Sequence, residues 1–182
     1  AQVDAANLSL VSTTGSVVDA NGAGNNITAN QLRVDTGGPV GAGIDPIETA
    51  IVIFAGVAGN GIYTDNSGSI ALSAVTPIAV NEVQNDGTSI AVADLVTATG
   101  LSSSGAVVVR ALGGALTVAE AVNGVGNILL LSNSANVGLN ANVSSGGGHV
   151  SVLAGTSVSQ NANIQTDGGT VDVNALNGAI TM

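Results

Sequence analysis

The sequence predicts an all-β protein, a right-handed parallel β-helix of about nine coils with roughly 20 residues and three short strands in each. A pair of apolar residues, separated by one position, recurs about every twenty residues along the whole chain. Hydrophobic residues make up 45% of the 182 residues and aromatic residues only 1%, so the core must consist of Val, Ile, Leu and Ala. Glycine is abundant at 26 against three prolines, and frequent glycine turns between short β-branched runs favour strands over helices.

The recurring apolar pair defines the coils. Its two members are separated by the two-residue period of a strand, so both side chains point to one face, which we expect to be the interior. Clusters of Gly, Asn and Ser follow the pairs and suit the corners. In chain order the pairs are Leu8/Leu10, Leu32/Val34, Ile51/Ile53, Ile70/Leu72, Ile90/Val92, Val107/Val109, Ile128/Leu130, Val150/Val152 and Val171/Val173.

The first half of the chain is the less regular part. Residues 22–30 lengthen the first coil, and residues 35–49, which include Pro39 and Pro46, predict an irregular corner. The coil that starts at Ile90 is short. Length changes of this kind are expected to map to loops outside a constant stack, so we predict a single β-solenoid domain over residues 1–182.

Residues 107–182 hold the most regular coils. Val107 is followed, after glycine-rich or polar corners, by the apolar residues Leu116 and Val122, and the same order recurs in the later coils. Equivalent strands would then stack as three parallel sheets around a narrow apolar interior, about 4.8 Å apart. The sharpest prediction is that four residues lie directly over one another: Val107, Ile128, Val150 and Val171.

A family resemblance is carried by residues 147–182, which read GGHVSVLAGTSVSQNANIQTDGGTVDVNALNGAITM. A glycine pair precedes alternating valines, and a second glycine pair closes the unit. The residues of the pattern are Gly147, Gly148, Val150, Val152, Ala154, Gly155, Val158, Asn161, Ala162, Ile164, Thr166, Gly168 and Gly169. This stretch resembles the repeat regions of filamentous-haemagglutinin-like adhesins and related giant bacterial surface proteins. The resemblance implies a right-handed parallel β-helix on a secreted or surface-attached filament, and it specifies no ligand.

The charge balance excludes several classes of partner. Twelve acidic residues face only two arginines, for a net charge of −10. Binding to nucleic acid depends mostly on cations that displace phosphate counterions, and an anionic membrane surface attracts basic segments for a similar reason. We therefore expect no nucleic acid partner and, with no apolar run near the ~20 residues of a membrane span, no membrane insertion.

Catalytic residues are not predicted. Glycoside hydrolysis requires two carboxylates that flank one bond, yet the only acids within four residues of each other are Asp45/Glu48 and Glu82/Asp86, both in loop-like sequence. His149 is the only histidine; without Cys or an adjacent carboxylate we expect an exposed residue at a strand start. The chain has no cysteine, which excludes disulfides and thiolate sites. No cofactor is predicted.

One loop is a candidate calcium site. Asp19, Asn21 and Asn25 resemble the oxygen ligands of a calcium loop. An EF-hand also requires an oxygen ligand at its fifth position and a Glu at its twelfth, but here these positions are Ala23 and Asn30. An Asx turn is the alternative interpretation. Calcium stays a candidate ligand, with Asp45 or Asp65 nearby.

A predicted apolar stripe lies on the outside of the first strand of each coil. An exposed stripe of this size would mark a contact surface; alternatively, the long corners, residues 35–49 above all, fold over it. The residues of the predicted stripe are Val52, Phe54, Val108, Leu129, Leu131 and Leu153.

These observations predict a non-enzymatic structural segment of an extracellular bacterial filament or adhesin. The sequence stops within an alternating strand, so we expect either further coils of a longer chain or end-to-end stacking of identical chains. The expected partners are the protein itself or adjoining coils, with cell-surface glycans as a further class. The alternative is a carbohydrate-binding or carbohydrate-active β-helix protein.

Overall fold

The chain winds as a β-solenoid of about eight turns in a computed structural model that describes residues 2–93 and 97–182. Parallel strands stack in register along the solenoid, and the described residues contain no helix. The predicted all-β parallel β-helix is therefore confirmed, with one winding fewer than expected. No described helix is long and apolar enough to span a membrane.

Three faces enclose the core. The strands of the first face are Ile62–Asn66, Val107–Ala111, Ile128–Ser132, Val150–Ala154 and Val171–Ala175. Those of the second face are Ile70–Leu72, Leu116–Val118, Val137–Leu139, Val158–Gln160 and Ile180–Thr181. Those of the third face are Leu101–Ser103, Val122–Gly124, Val143–Ser145 and Ile164–Thr166. Four N-terminal strands complete the stack: Val3–Asp4, Asn7–Ser12, Ile27–Thr36 and Ile47–Ala58.

The predicted column of first-face residues exists. Val107 pairs with Ile128, Ile128 with Val150, and Val150 with Val171. In each buried strand of the first face the residues alternate between fully buried and half-buried, because successive side chains of a strand point to opposite sides. The interior is a continuous stack of Val, Ile, Leu and Ala side chains with one aromatic residue, Phe54, among them.

In the N-terminal half, the prediction that the recurring apolar pairs stack in one column is wrong after the second pair, Leu32/Val34. Leu8 pairs with Leu32 as expected, but Leu32 then pairs with Phe54 rather than Ile51. These residues also belong to the second face, whereas Val107 belongs to the first. The long strands Ile27–Thr36 and Ile47–Ala58 run around the corners of the solenoid, so a two-residue spacing alone does not reveal which face it occupies.

Phe54 points into the core and is 0% exposed, so its predicted place on the outer stripe is wrong. Inward positions in this strand include Ile51 and then Phe54, a step of three residues instead of two. The reason is a corner at Val52: the ladder pairs Ile51 and Ile53 with residues of the previous strand but omits Val52. A corner that uses one extra residue reverses the alternation beyond it.

Residues 73–93 and 97–100 belong to an insertion at the corner between the second and third faces. Ala74–Val75 pairs antiparallel with Ala98–Thr99, and Ala79–Val83 pairs antiparallel with Ser89–Ala93. The pair Ile90/Val92 lies in this hairpin and is exposed, so it does not begin a winding; this accounts for the missing coil. The base of the insertion covers Ile53 and Ala55 on the outside of the second face.

Two loops leave the first face in adjacent windings. Loop A, residues 18–25, follows Val17, and loop B, residues 41–46, follows Val40; these two valines form a parallel bridge. Loop B contains a tight turn in which Ala42 and Asp45 exchange backbone hydrogen bonds. The predicted irregular corner over residues 35–49 thus consists of a strand end, loop B and the start of strand Ile47–Ala58.

Candidate functional site

Loops A and B bring together the acidic cluster, which consists of Asp19, Asp45, Glu48 and Asp65. Asp19 is in loop A and Asp45 in loop B. Glu48 and Asp65 are paired neighbours on the outer side of the first face, one winding apart. The charges of Asp19, Asp65 and Asp45 all act on the Glu48 carboxyl. Residues that are distant in the sequence therefore form one strongly negative surface.

Asp19 is the most buried member of the cluster, at 6% exposure. Its Oδ1 accepts hydrogen bonds from the backbone N–H of Asn21 at 2.9 Å and from Nδ2 of Asn26 at 2.7 Å. Its Oδ2 is buried and has no hydrogen-bond partner. The carboxyl group of Asp45 lies within hydrogen-bonding reach. Hydrogen bonds from Asn21 and then Asn26 hold the pKa of Asp19 below its ordinary value.

Glu48 occupies a less favourable environment for a charge. Asn26 links it to Asp19, because Oδ1 of Asn26 accepts the backbone N–H of Glu48 at 2.8 Å. Oε2 of Glu48 is buried without a hydrogen-bond partner. Burial raises the pKa of the Glu48 carboxyl, and the neighbouring acidic charges raise it further.

Asp65 is the member of the cluster that has a cation. Arg110, its ladder neighbour in the next winding, binds it in a bidentate pair, with Nε 2.5 Å from Oδ1 and Nη2 2.7 Å from Oδ2. The Asp65 side chain is 12% exposed and that of Arg110 35%, so the pair is only partly shielded from water. The other arginine, Arg33, contacts Asp35 at 3.4 Å. One cation therefore faces four carboxylates in the cluster.

The predicted calcium residues do not all converge. Asn21 donates its backbone N–H to Asp19, which is the Asx turn given as the alternative. Nδ2 of Asn25 instead donates to Oγ1 of Thr28 at 2.9 Å. Within residues 2–93 and 97–182, no three Asp, Glu, His or Cys side chains are arranged to hold a metal ion. Calcium binding by the predicted triplet stays a prediction.

The predicted stripe divides into three groups. Val108 and Leu129 are ladder neighbours on the outer side of the first face, and so are Leu131 and Leu153; all four are half-buried. Val52 is exposed but lies at a corner before the second face. Phe54 is in the core. Four of the six residues thus share one outer surface, and the role of that surface in association stays a prediction.

The remaining polar candidates are solvent-exposed. His149 is exposed immediately before strand Val150–Ala154, as expected, and its Nδ1 accepts the backbone N–H of Thr170 at 3.0 Å. Asp86 accepts hydrogen bonds from Thr88, which lower its pKa. Glu82 is exposed on the hairpin of the insertion.

Four surface pockets lie away from the acidic cluster. One, of about 610 Å³, is open at the last windings of the third face and includes Gln165 and Asp167. Another, of about 380 Å³, lies on the outer side of the second face and is lined by amides and hydroxyls that include Asn136, Asn140 and Ser159. Neither these two nor the other two described pockets include a residue of the acidic cluster.

Comparison of the chain with protein families, with characterised proteins and with solved structures finds no match.

Glu48 and Asn26 were not predicted from the sequence as parts of this site, and neither was the pairing of Asp65 with Arg110. A signal for that pairing was present. Asp65 and Arg110 each occupy the fourth position of a first-face strand, in Ile62–Asn66 and Val107–Ala111. The insertion between these strands concealed the signal, because it separates two adjacent windings by far more than one repeat.

Proposed function

We propose that this protein is a non-enzymatic structural segment of an extracellular bacterial filament or adhesin. In this role the molecule acts mechanically. Parallel ladders connect every winding to the next, so the backbone hydrogen bonds run along the axis of the rod. A stack whose units contact only their neighbours can be extended without changing its cross-section.

The observation that carries this proposal is the in-register stacking of successive windings, in which the first-face strands pair without a break from Ile62–Asn66 to Val171–Ala175. Val150 is 0% exposed, whereas Val171, which stacks on it, is 45% exposed. The same contrast holds on the second face between Val158 at 1% and Ile180 at 43%. A further winding, from the same polypeptide or from a second copy, would cover these side chains and pair the free strand edges.

Two other features support an extracellular location. The only cations, Arg33 and Arg110, are respectively buried and held in an ion pair, so trypsin-like proteases have few accessible sites. The net charge of −10 keeps a rod with an apolar interior in solution.

Electron microscopy over a range of concentrations tests the proposal. We expect rods whose length increases with concentration, with each chain contributing about 40 Å at eight strand spacings. Val173→Asp, in the open strand Val171–Ala175, should keep the rods short because it places a charge on the surface to be covered. Asn174→Asp adds the same charge to the outer side of that strand and is the matched control. Equal growth of both variants, or compact particles without rod shape, would contradict the proposal.

A second candidate is carbohydrate binding at the outer side of the second face. The pocket there offers the amides of Asn136 and Asn140 and the hydroxyls of Ser157 and Ser159, which can bind sugar hydroxyls. A glycan array tests it. Binding that Asn140→Ala removes, while rods still form, would support an adhesive function in addition to the structural one.

A further inference from the structure

We propose that loops A and B hold a divalent cation of the calcium class, with the carboxylates of Asp19 and Asp45 as direct ligands and Glu48 as the adjacent charge. The inference is independent of the proposed filament role, because it concerns an ion bound within one chain.

The buried oxygen of Asp19 is the first observation. The side chain is 94% shielded from solvent, since it is 6% exposed, and only one of its two carboxylate oxygens is used by protein donors. The other, Oδ2, is buried without a hydrogen-bond partner. Buried polar groups are nearly always paired, and an unpaired charged oxygen is costly. A bound cation would satisfy this oxygen.

The second observation is a matching unpaired oxygen on Glu48. Oε2 of Glu48 is also buried and has no hydrogen-bond partner, and Asn26 ties the backbone of Glu48 to the Asp19 side chain. Asn26 thereby fixes the two acidic residues relative to each other from adjacent windings. No cation in the cluster approaches them, because Arg110 is engaged by Asp65.

The third observation is the contact between Asp19 and Asp45, whose carboxyl groups lie within hydrogen-bonding reach of each other. Two ionised carboxylates at this distance repel unless a cation or a shared proton lies between them. A cation would relieve this repulsion and would also satisfy the unpaired Oδ2 of Asp19.

The donor set selects the ion. All available ligands are oxygens, which hard cations such as Ca²⁺ and Mg²⁺ prefer, and the absence of Cys in the chain leaves no soft ligand. Two carboxylates on separate loops form an adaptable site, which suits the flexible geometry of Ca²⁺ better than the strict octahedron of Mg²⁺. Because the site is a pair, and no three acidic side chains within residues 2–93 and 97–182 are arranged to hold a metal ion, water must complete the coordination shell.

The proposed ligand set differs from the sequence-derived triplet. Asp19 is common to both, but Asp45 replaces Asn21 and Asn25 as a ligand. Asn26, the neighbour of Asn25, is the positioning residue. The ligand set changes because loop B stacks on loop A. The residue spacing within loop A does not indicate this contact.

Terbium luminescence tests the site directly. Tyr63 is the only tyrosine, and the chain has no tryptophan. Its ring lies beside loop B, because a Cβ built on Gly43 would be 3.6 Å from Tyr63 Cε1. Excitation of Tyr63 should therefore sensitise emission from Tb³⁺ bound between the loops, and millimolar Ca²⁺ should quench that emission by displacement.

Asp19→Asn and Asp45→Asn should each weaken Tb³⁺ binding at least about tenfold, the lower bound seen even for residues that only support metal ligands. Glu48→Gln should weaken binding less, because it removes charge and not a direct ligand. Asp172→Asn, an exposed acid on the last first-face strand, is the matched control and should bind as the wild type does.

Asp45 is exposed, so Asp45→Asn should fold even if Asp19→Asn does not; circular dichroism checks both. The proposal is overturned by absent emission in the wild type, by equal emission from Asp45→Asn and Asp172→Asn, or by failure of Ca²⁺ to displace Tb³⁺. The first of these results would be expected if a shared proton occupied the carboxylate pair.

Discussion

Leu130 and Leu131 are adjacent in strand Ile128–Ser132, and we predict opposite consequences when each is replaced by alanine. Leu130 is 0% exposed and lies in the core, whereas Leu131 is half-buried on the outer side of the first face. Leu130→Ala removes about three buried carbon groups, or ~2.4 kcal/mol of transfer free energy. A cavity enclosed by packed windings adds to this, so the expected loss of unfolding free energy is about 3–5 kcal/mol.

Leu131→Ala should cost less, about 1–2 kcal/mol, because part of the side chain is already in water and its removal leaves no enclosed cavity. Urea unfolding followed by circular dichroism gives both values from the change in midpoint, and thermal unfolding checks the order. Losses of equal size, or a larger loss for Leu131→Ala, would refute the assignment of inward and outward positions.

Three further predictions concern stability. Arg110→Gln should lower the unfolding free energy by about 1–2 kcal/mol, which is less than for a fully buried ion pair because Arg110 is 35% exposed. Adding Asp65→Asn to this variant should restore part of the loss. An unchanged unfolding free energy for Arg110→Gln would contradict the importance of the pair. Gly155→Ala should destabilise the protein by about 1–3 kcal/mol, because the added Cβ would clash with a backbone oxygen of the preceding winding. Gly138→Ala, which has open space around its Cβ, should be neutral or stabilise the protein by about 0.5–1 kcal/mol. Equal melting temperatures for these two variants would argue against the stacking. Glu48→Gln, measured in chelator, should raise the melting temperature at neutral pH, and this gain should shrink as the pH falls toward the ordinary carboxyl value of 4.5.

The sign of the last prediction follows from proton binding. The folded protein raises the pKa of Glu48, so the native state binds this proton more tightly than the unfolded chain does. The charged form therefore destabilises the fold at neutral pH, and the penalty disappears as the carboxyl is protonated. A melting temperature for Glu48→Gln below that of the wild type across the whole pH range would contradict this account.

How far the sequence predicted the structure varies between the two halves of the chain. From Val107 onward the repeat length is nearly constant, so apolar spacing alone placed Val150 over Ile128 correctly. In the first half, the extra residue at the Val52 corner reversed the alternation, and Phe54 was assigned to the wrong side. Period-two spacing shows that alternate residues share a face, but it does not show where a corner changes the phase.

The candidate site was the least predictable part. Asp19 was recognised as a possible ligand from its own loop, with Asp45 or Asp65 expected nearby, whereas the place of Glu48 beside it depends on the next winding. The register of the two loops is fixed by the bridge between Val17 and Val40, and no local sequence pattern predicts this bridge.

The sequence by itself determined the architecture of this protein, because repeated aliphatic pairs and glycine-rich corners can bury their apolar surface only by stacking. It also determined the acidic charge and the absence of thiol chemistry. Only the tertiary structure decided that the hairpin of Ala79–Val83 and Ser89–Ala93 leaves the stack, that Arg110 meets Asp65, and that loops A and B bring their carboxylates together. Those contacts depend on which winding stacks on which. One insertion changes which residues become neighbours in adjacent windings, and it does so without altering the local sequence pattern.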